Sequence, residues 1–165
     1  MTRIGRFKLL PILFKTREMK DISISEIRVS YSNENREKIS INGSESAYKI
    51  LLACWDKCTI ELQEEFKVLL LNRANRVLGV NTVSKGGVAG TLVDPKLVFN
   101  VSLKCNASAI ILAHNHPSGN LNPSLNDKQL TKKLKSAGDF LDIKVLDHLI
   151  VTPEGYFSFA DEGIL

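Results

Sequence analysis

Residues 107–127 have the sequence ASAIILAHNHPSGNLNPSLND, in which an apolar run is followed by a polar loop. The run from Ala107 to Ala113 has the length and composition of a buried central strand. The polar loop begins at His114 and contains two prolines and a glycine, and Ser124 is placed to cap a helix that follows. This stretch therefore predicts a strand, a loop and a helix, with polar side chains concentrated in the loop between the strand and the helix.

Apolar periodicity predicts strands and helices that alternate along the rest of the chain, with short connections and no internal repeat. With 165 residues, 44% of them hydrophobic, the chain fits one domain with its own core. We therefore predict an α/β or α+β fold with a mixed sheet flanked by helices. The predicted strands are 22–30, 39–41, 66–71, 76–84, 107–113, 143–151 and 156–159, and the predicted helices begin near Ser44, Asp94 and Ser124.

The net charge of +4 is concentrated at the N-terminus. Residues 1–20 carry six basic side chains and one acidic side chain, whereas residues 21–165 carry 16 basic and 17 acidic ones. A basic stretch is typical of nucleic-acid binding, so nucleic acid is a possible partner of this tail and is not expected for the core domain. The interpretation that we favour is a disordered tail, or an upstream start codon with Met19 as the natural beginning.

This charge distribution and the strand pattern divide the chain into three segments. They are a basic tail over 1–20, a lead-in of strands over 21–43 and the main domain over 44–165. No apolar run approaches the roughly 20 residues of a membrane span, so no membrane partner is expected. The pattern leaves the oligomeric state open.

Cysteine usage indicates a reducing compartment. The chain has three cysteines, an odd number, and no secretory signal, which favours a cytoplasmic protein without disulfides. Cys54 and Cys58 are four residues apart on the apolar face of a predicted helix that also carries Ala47 and Leu51. A buried free cysteine behaves as a small hydrophobic residue, so we expect this pair to pack in the core and not to bind metal.

The histidines of the polar loop are spaced for metal binding. His114 and His116 are two residues apart at a strand end, so their side chains point to the same side. Asp127 follows in the first turn of the next helix, where a returning loop brings its carboxylate towards the imidazoles. Two imidazoles and one carboxylate leave a fourth tetrahedral position open, as in catalytic zinc sites. The pattern predicts one Zn²⁺ ion.

Structural roles and other metal motifs are the alternatives for these residues. The two histidines could simply end a strand, and Ser124 with Asp127 forms a capping-box pattern with Asp in place of Glu. Capping is compatible with ligation, because a ligand at a helix start is well oriented. Three other motifs fail: a metallo-β-lactamase needs Asp where Ser118 stands, a cupin needs Glu within 119–121, and a nucleobase deaminase needs a later cysteine pair.

The remaining pattern resembles the JAMM metalloprotease motif, which is matched here by His114, His116, Pro117, Ser124 and Asp127. More narrowly, HNHPSG at 114–119 and PSxxD at 123–127 are similar to the C-terminal domain of bacterial RadC-type proteins. The segments 146–148 and 156–159 share this similarity, which covers residues 44–165 in all. The resemblance implies a JAB/MPN fold, a mixed sheet with flanking helices whose topology is related to the cytidine deaminases.

The resemblance also implies a role for each site residue. It makes His114, His116 and Asp127 the ligands of one zinc ion and Ser124 the stabiliser of a developing oxyanion. It further implies an upstream glutamate as general base.

Three glutamates lie in the region where this base is expected, namely Glu61, Glu64 and Glu65. In RadC-like sequences a glutamate stands two residues before an aromatic residue that opens a strand. Phe66 opens such a strand here, so the resemblance favours Glu64.

We expect a zinc-dependent hydrolase that cleaves peptide or isopeptide bonds in a peptide or protein substrate. One alternative is a nucleic-acid-associated DNA repair accessory protein, because the RadC family has that association. Full-length RadC-type proteins carry a helix-hairpin-helix domain before the metal domain, and 43 residues cannot hold one with a linker, so we expect it to be absent. A second alternative is a catalytically silent scaffold that binds metal.

Asp147 and His148 form a further polar pair on a predicted strand. They could support the metal site from behind, or they could be structural residues of a half-buried strand. The alternation along this strand does not decide between the two, and we slightly favour the structural interpretation.

Overall fold

A computed structural model of the chain describes residues 30–32, 39–86 and 92–165. Its helices are α1 (Ser44–Ala53), α2 (Pro95–Lys104) and α3 (Leu125–Phe140), and its strands are β1 (Glu65–Leu71), β2 (Val77–Lys85), β3 (Ala109–Asn115), β4 (Lys144–Val151) and β5 (Tyr156–Ser158). The basic tail and residues 22–29 of the predicted first strand lie outside the described residues.

The strands form one mixed sheet in the order β2-β1-β3-β4-β5. β3 pairs antiparallel with β1 and parallel with β4, while β2 and β5 add antiparallel strands at the two edges. A parallel pair needs a long crossover, and α3 supplies it between β3 and β4. The predicted mixed sheet with flanking helices is thereby confirmed, and β3 is its central strand.

Helices cover both faces of the sheet. Side chains of α2 and α3, such as Val98 and Leu134, pack with Leu112 on one face, which we call the helix-pair face. Leu51 of α1 packs with Ile111 on the opposite face, which we call the α1 face. Because both faces are covered, β1 and β3 are buried at every position, and they are apolar apart from Glu65 and Lys67 in β1 and His114 and Asn115 in β3.

Two helix starts follow the predicted capping chemistry. Asp94 Oδ1 accepts a hydrogen bond of 2.9 Å from the backbone N–H of Lys96 at the start of α2. At the start of α3, the Asp127 N–H donates to Ser124 Oγ at 3.1 Å and the Ser124 N–H donates to Asp127 Oδ2 at 2.7 Å. These reciprocal bonds form a capping box, so the start of α3 is held rigidly.

The core position expected for Cys54 and Cys58 is wrong. α1 ends at Ala53, with Cys54 at its C-cap, and both cysteines are exposed. The chain turns at Asp56, whose side chain accepts a hydrogen bond of 2.8 Å from the Cys58 N–H. Side-chain capping of the backbone competes with helix continuation, so the apolar periodicity outlasts the helix.

Smaller departures occur in three other elements. Of the short strand predicted at 39–41, a single bridge remains, from Ser40 to Arg76. The apolar periodicity of α2 predicts Leu97 in its buried stripe, but Leu97 is half exposed and Phe99 packs in the core instead. β3 continues to Asn115 and so includes the first residues of the predicted loop. Within the described residues, no helix has the length and apolar character to cross a bilayer.

Gly138 lies inside α3 and shows why this helix contains a glycine. A Cβ atom there would overlap the Ile143 carbonyl oxygen, while Val145 and Phe99 would be in ordinary contact with it at 3.4 and 3.5 Å. The carbonyl belongs to the backbone that leads into β4 and cannot easily move. The absence of a side chain at residue 138 thus allows α3 to approach the sheet closely.

We predict that Gly138→Ala destabilises the protein. Overpacking costs about 1–3 kcal/mol, more than the roughly 1 kcal/mol that alanine gains in a helix, because backbone atoms oppose the new methyl group. Urea denaturation should show a net loss of free energy of unfolding. Gly79→Ala is the control, since a Cβ at Gly79 meets no atom within 4 Å. Equal stabilities of the two variants would contradict the close approach of α3.

Candidate metal centre

The end of β3 presents His114 to the helix-pair face. Its ring is 1% exposed and stacks against Phe66, with ring centroids 6.3 Å apart. His116 follows just beyond the strand, where its backbone N–H donates to the Val151 carbonyl at 3.3 Å. The two imidazoles therefore share one side of the chain, as the spacing of two residues predicts.

The structure brings together the three predicted ligands. One ligand atom from each of His114, His116 and Asp127 lies within 4.8 Å of the other two. His114 Nε2 is 3.0 Å from His116 Nε2 and 3.4 Å from Asp127 Oδ1, and His116 Nε2 is 3.9 Å from Asp127 Oδ2. Ligands of a tetrahedral zinc ion lie about 3.3 Å apart. The donor set therefore fits one small divalent cation.

The hydrogen bonds of His116 identify its donor atom. His116 Nδ1 lies 2.5 Å from the Asn120 carbonyl oxygen, which can only accept, so the ring proton is on Nδ1. In the neutral ring the lone pair is then on His116 Nε2, which faces His114 Nε2 at 3.0 Å. Two nitrogen lone pairs that face each other repel, and a cation that lies beside both relieves this repulsion.

His114 is neutral at physiological pH. Burial lowers its pKa to about 4, and the nearby carboxylate of Asp127, which alone would raise the pKa, does not offset this effect. Neutral imidazole is the form that binds metal.

Ser124 orients the carboxylate of Asp127. The Ser124 Oγ–H donates to Asp127 Oδ2 at 2.6 Å, in addition to the backbone N–H of the same serine at 2.7 Å. Oδ2 is thus held by two hydrogen bonds, and Oδ1 is the oxygen nearer to His114. The capping box of α3 accordingly also fixes a candidate ligand, and the oxyanion role of Ser124 stays a prediction.

A cleft of about 240 Å³ opens beside the ligands. Its walls include Glu64, which is half-buried, together with His114 and Asp127. The apolar part of the lining consists of Phe66, Leu92, Val93 and Leu130. A carboxylate, the metal-binding group and an apolar wall thus meet in one concave site, which is the arrangement expected of a binding or active site.

The other two glutamates lie elsewhere. Glu61 is exposed and borders a different cavity, beside Trp55 on the α1 face. Glu65 is buried and forms ion pairs with Lys67 at 2.7 Å and Lys85 at 2.9 Å. Burial opposes its ionisation, but the two lysines outweigh burial and lower the pKa of its carboxyl group. Of the three candidates, Glu64 is the one placed in the cleft.

Asn115 is a site residue that the spacing of the histidines does not predict. Its fully buried side chain lies on the opposite face from His114 and donates to the carbonyls of Ile60 and Gln63 at 2.6 and 2.8 Å. Its Oδ1 accepts from the Glu65 N–H at 2.7 Å. These bonds hold the segment that carries Glu64. The sequence signal that could have identified Asn115 is a polar residue between two candidate ligands at the end of an apolar strand.

His148 and Asp147 have different surroundings, and only His148 contacts a candidate ligand. Its Nε2 lies 2.8 Å from His114 Nδ1, and the ring is fully buried. Asp147 instead accepts hydrogen bonds from Ser158 Oγ at 2.6 Å and from the Ala160 N–H at 3.0 Å, and so fixes the end of β5. The β3–β4 register shifts after Ile110, which interrupts the alternation of side chains.

The fold and the site together define the class of protein. It is an α/β protein with a mixed sheet, in which the end of a buried central strand presents a His-His-Asp group that could bind a metal ion. Comparison with known families identifies the particular one. The chain belongs to the RadC-like JAB domain family, whose model matches residues 41–164.

Several bacterial proteins are similar to this chain. A UPF0758 protein of Flavobacterium johnsoniae is 59% identical over 101 residues, which cover 61% of this chain and 44% of that protein. One from Porphyromonas gingivalis is 43% identical over 135 residues, covering 81% and 58%. One from Chlorobaculum parvum is 34% identical over 158 residues, covering 94% and 69%. The chain spans about half the length of the first two relatives.

We predict that Asn115→Asp releases the segment that carries Glu64. The carboxylate cannot donate to the carbonyls of Ile60 and Gln63, and leaving buried acceptors unpaired costs about 1–3 kcal/mol each. Urea denaturation should show the loss, and hydrogen exchange of the amides at 60–65 should accelerate. Asn100→Asp, an exposed change on α2, is the control. Unchanged exchange at 60–65 would contradict the clamp.

Proposed function

We propose that the protein is a zinc-dependent hydrolase of the JAMM type that cleaves peptide or isopeptide bonds. The observation that carries this proposal is the convergence of His114, His116 and Asp127 beside the cleft that also contains Glu64. The JAMM resemblance implies a glutamate and a serine beside the three ligands, and Glu64 and Ser124 support the proposal because Glu64 lines the same cleft and Ser124 contacts Asp127. Membership in the RadC-like JAB family supports the same reaction class.

His114 Nε2, His116 Nε2 and the Asp127 carboxylate would hold the ion, leaving room for a fourth ligand. When bound, a zinc ion supplies Lewis acidity that lowers the pKa of water and polarises a carbonyl group. The chain itself contributes rigid ligands, because Ser124 and Asn120 hydrogen-bond to the carboxylate and to His116. This rigidity lowers the reorganisation needed during the reaction.

Glu64 is proposed as the general base and acid. Its carboxylate removes a proton from the attacking water and later delivers it to the leaving amine. Its half-buried position at the cleft wall keeps the group near its substrate and open to solvent exchange. Ser124 Oγ lies beside the ligand carboxylate, from which its proton can turn to a developing oxyanion.

The substrate and the compartment follow from family and composition. A peptide or protein is the proposed partner, since the JAMM resemblance implies amide hydrolysis. The cytoplasm is the proposed compartment because the three cysteines are free.

We predict that Glu64→Gln lowers hydrolysis by about 10²–10⁴-fold, because glutamine cannot transfer the proton. The zinc-loaded protein is incubated with a peptide library that includes peptides joined through a lysine side chain, and new termini are counted by mass spectrometry. Zinc affinity should stay at the wild-type value, since Glu64 is not a ligand.

Glu61→Gln is the matched control and should cleave like the wild type, because Glu61 lies outside the cleft. Wild-type activity in Glu64→Gln would remove this glutamate from the mechanism. No cleavage by zinc-loaded wild-type protein would favour a silent metal-binding scaffold.

A nucleic-acid accessory role is a second candidate, favoured by the charge of residues 1–20. This role requires that the full chain bind duplex DNA at low salt, with an affinity that falls steeply as salt rises, and that deletion of residues 1–18 abolish the binding. Fluorescence anisotropy with a labelled duplex measures both effects. Absence of binding at low salt, or undiminished binding after the deletion, contradicts the assignment of nucleic acid to the tail.

A further inference from the structure

A third histidine lies directly behind the first ligand. His148 on β4 is fully buried, and its Nε2 is 2.8 Å from His114 Nδ1. Phe159 stacks on the His148 ring at a centroid distance of 4.8 Å, so the ring is fixed in place. The mechanism proposed above assigns no role to this histidine.

The other side of the His148 ring contacts α3. His148 Nδ1 lies 2.6 Å from the hydroxyl of Thr131, whose residue is also buried. The Thr131 hydroxyl in turn donates to the backbone carbonyl of Asp127 at 2.6 Å, one helical turn earlier. A continuous chain of hydrogen bonds therefore runs from one ligand residue to the other, through Thr131 and His148.

The Asp127 carbonyl determines which atom donates in each of these hydrogen bonds. The Asp127 carbonyl can only accept, so the single hydroxyl proton of Thr131 is donated to it. The hydroxyl oxygen must then accept from His148 Nδ1–H, which leaves His148 Nε2 as an acceptor. His114 Nδ1 consequently donates, and the lone pair of His114 is on Nε2, the atom that faces His116 and Asp127.

We propose that Thr131 and His148 are positioning residues that fix the His114 tautomer with Nε2 as the metal donor. The relay also ties β3 to the first turn of α3, so that two ligands are set by one hydrogen-bonded unit. The proposal rests on the metal site of the proposed function and not on hydrolysis.

The chemistry of this relay differs from the usual support of a metal-bound histidine. A carboxylate commonly accepts a hydrogen bond from the other ring N–H and raises the basicity of the ligand. Here the acceptor is a neutral imidazole backed by a hydroxyl group. No negative charge is added behind His114, so the site keeps more of the Lewis acidity of a bound dication than a carboxylate acceptor would leave.

Ring ¹⁵N spectroscopy of the metal-free protein tests the proposal without any activity assay. The chain has three histidines, so three ring systems are observed. We expect protonated Nδ1 and unprotonated Nε2 for both His114 and His148 in the wild type. In Thr131→Val the acceptor for His148 Nδ1–H is removed, and both tautomers should invert. A wild-type His148 protonated on Nε2 would overturn the proposal.

Zinc affinity, measured by competition with a chromogenic chelator, gives a second readout. We expect Thr131→Val to weaken zinc binding by about 10–100-fold. Thr131→Ser keeps the hydroxyl group and should retain wild-type affinity and tautomers. Equal affinities of the two variants would contradict the relay.

Failure of the relay and failure of the metal site are distinguishable. Wild-type protein that binds no zinc would contradict the proposed function, while the ring spectra would still decide the tautomers. If Thr131→Val does not fold, the wild-type spectra decide the question alone.

Discussion

The alternation of side chains at the end of β3 is the constraint on which the site depends. His114 points to the helix-pair face and Asn115 to the α1 face, and both are fully buried. The histidine supplies a donor atom, while the asparagine holds the segment 60–65 through three hydrogen bonds. The end of β3 thus positions His114 on one face and, through Asn115 on the opposite face, the segment that carries Glu64. A shift of one residue in register would exchange the two roles.

Burial of polar groups around this strand end is costly unless each finds a partner. Some of the hydrogen-bond partners here are close in sequence, and others come from distant parts of the chain. Ser124 satisfies Asp127 within one helical turn, whereas His148 reaches His114 from a neighbouring strand. Burial lowers the pKa of His148 well below its usual value, so an uncharged ring fills the space behind the ligand. The two buried rings, His114 and His148, are therefore both uncharged.

Local patterns explain which features were predictable from the sequence. The candidate ligands His114 and His116 follow from a spacing of two at a strand end, and Asp127 follows from its place in the first turn of the helix after the loop. These relations involve residues close in sequence, and the fold preserves them. The mixed sheet follows equally from the interleaved strand and helix patterns.

The remaining features depend on long-range packing. The position of Glu64 in the cleft results from contacts between Asn115 and residues about 50 positions earlier, which no local pattern encodes. His148 meets His114 because β4 lies beside β3, with a register shift that the alternation of β4 does not reveal. The exposed positions of Cys54 and Cys58 result from the turn that ends α1.

Three side chains at the end of β3 and the start of α3 are proposed to hold one metal ion. Anomalous diffraction at the zinc edge, from crystals grown with one equivalent of zinc, tests it most directly. We predict a single strong peak about 2.0–2.2 Å from His114 Nε2, His116 Nε2 and an Asp127 oxygen. A peak at another site, or none at this group in zinc-containing crystals, would contradict the account.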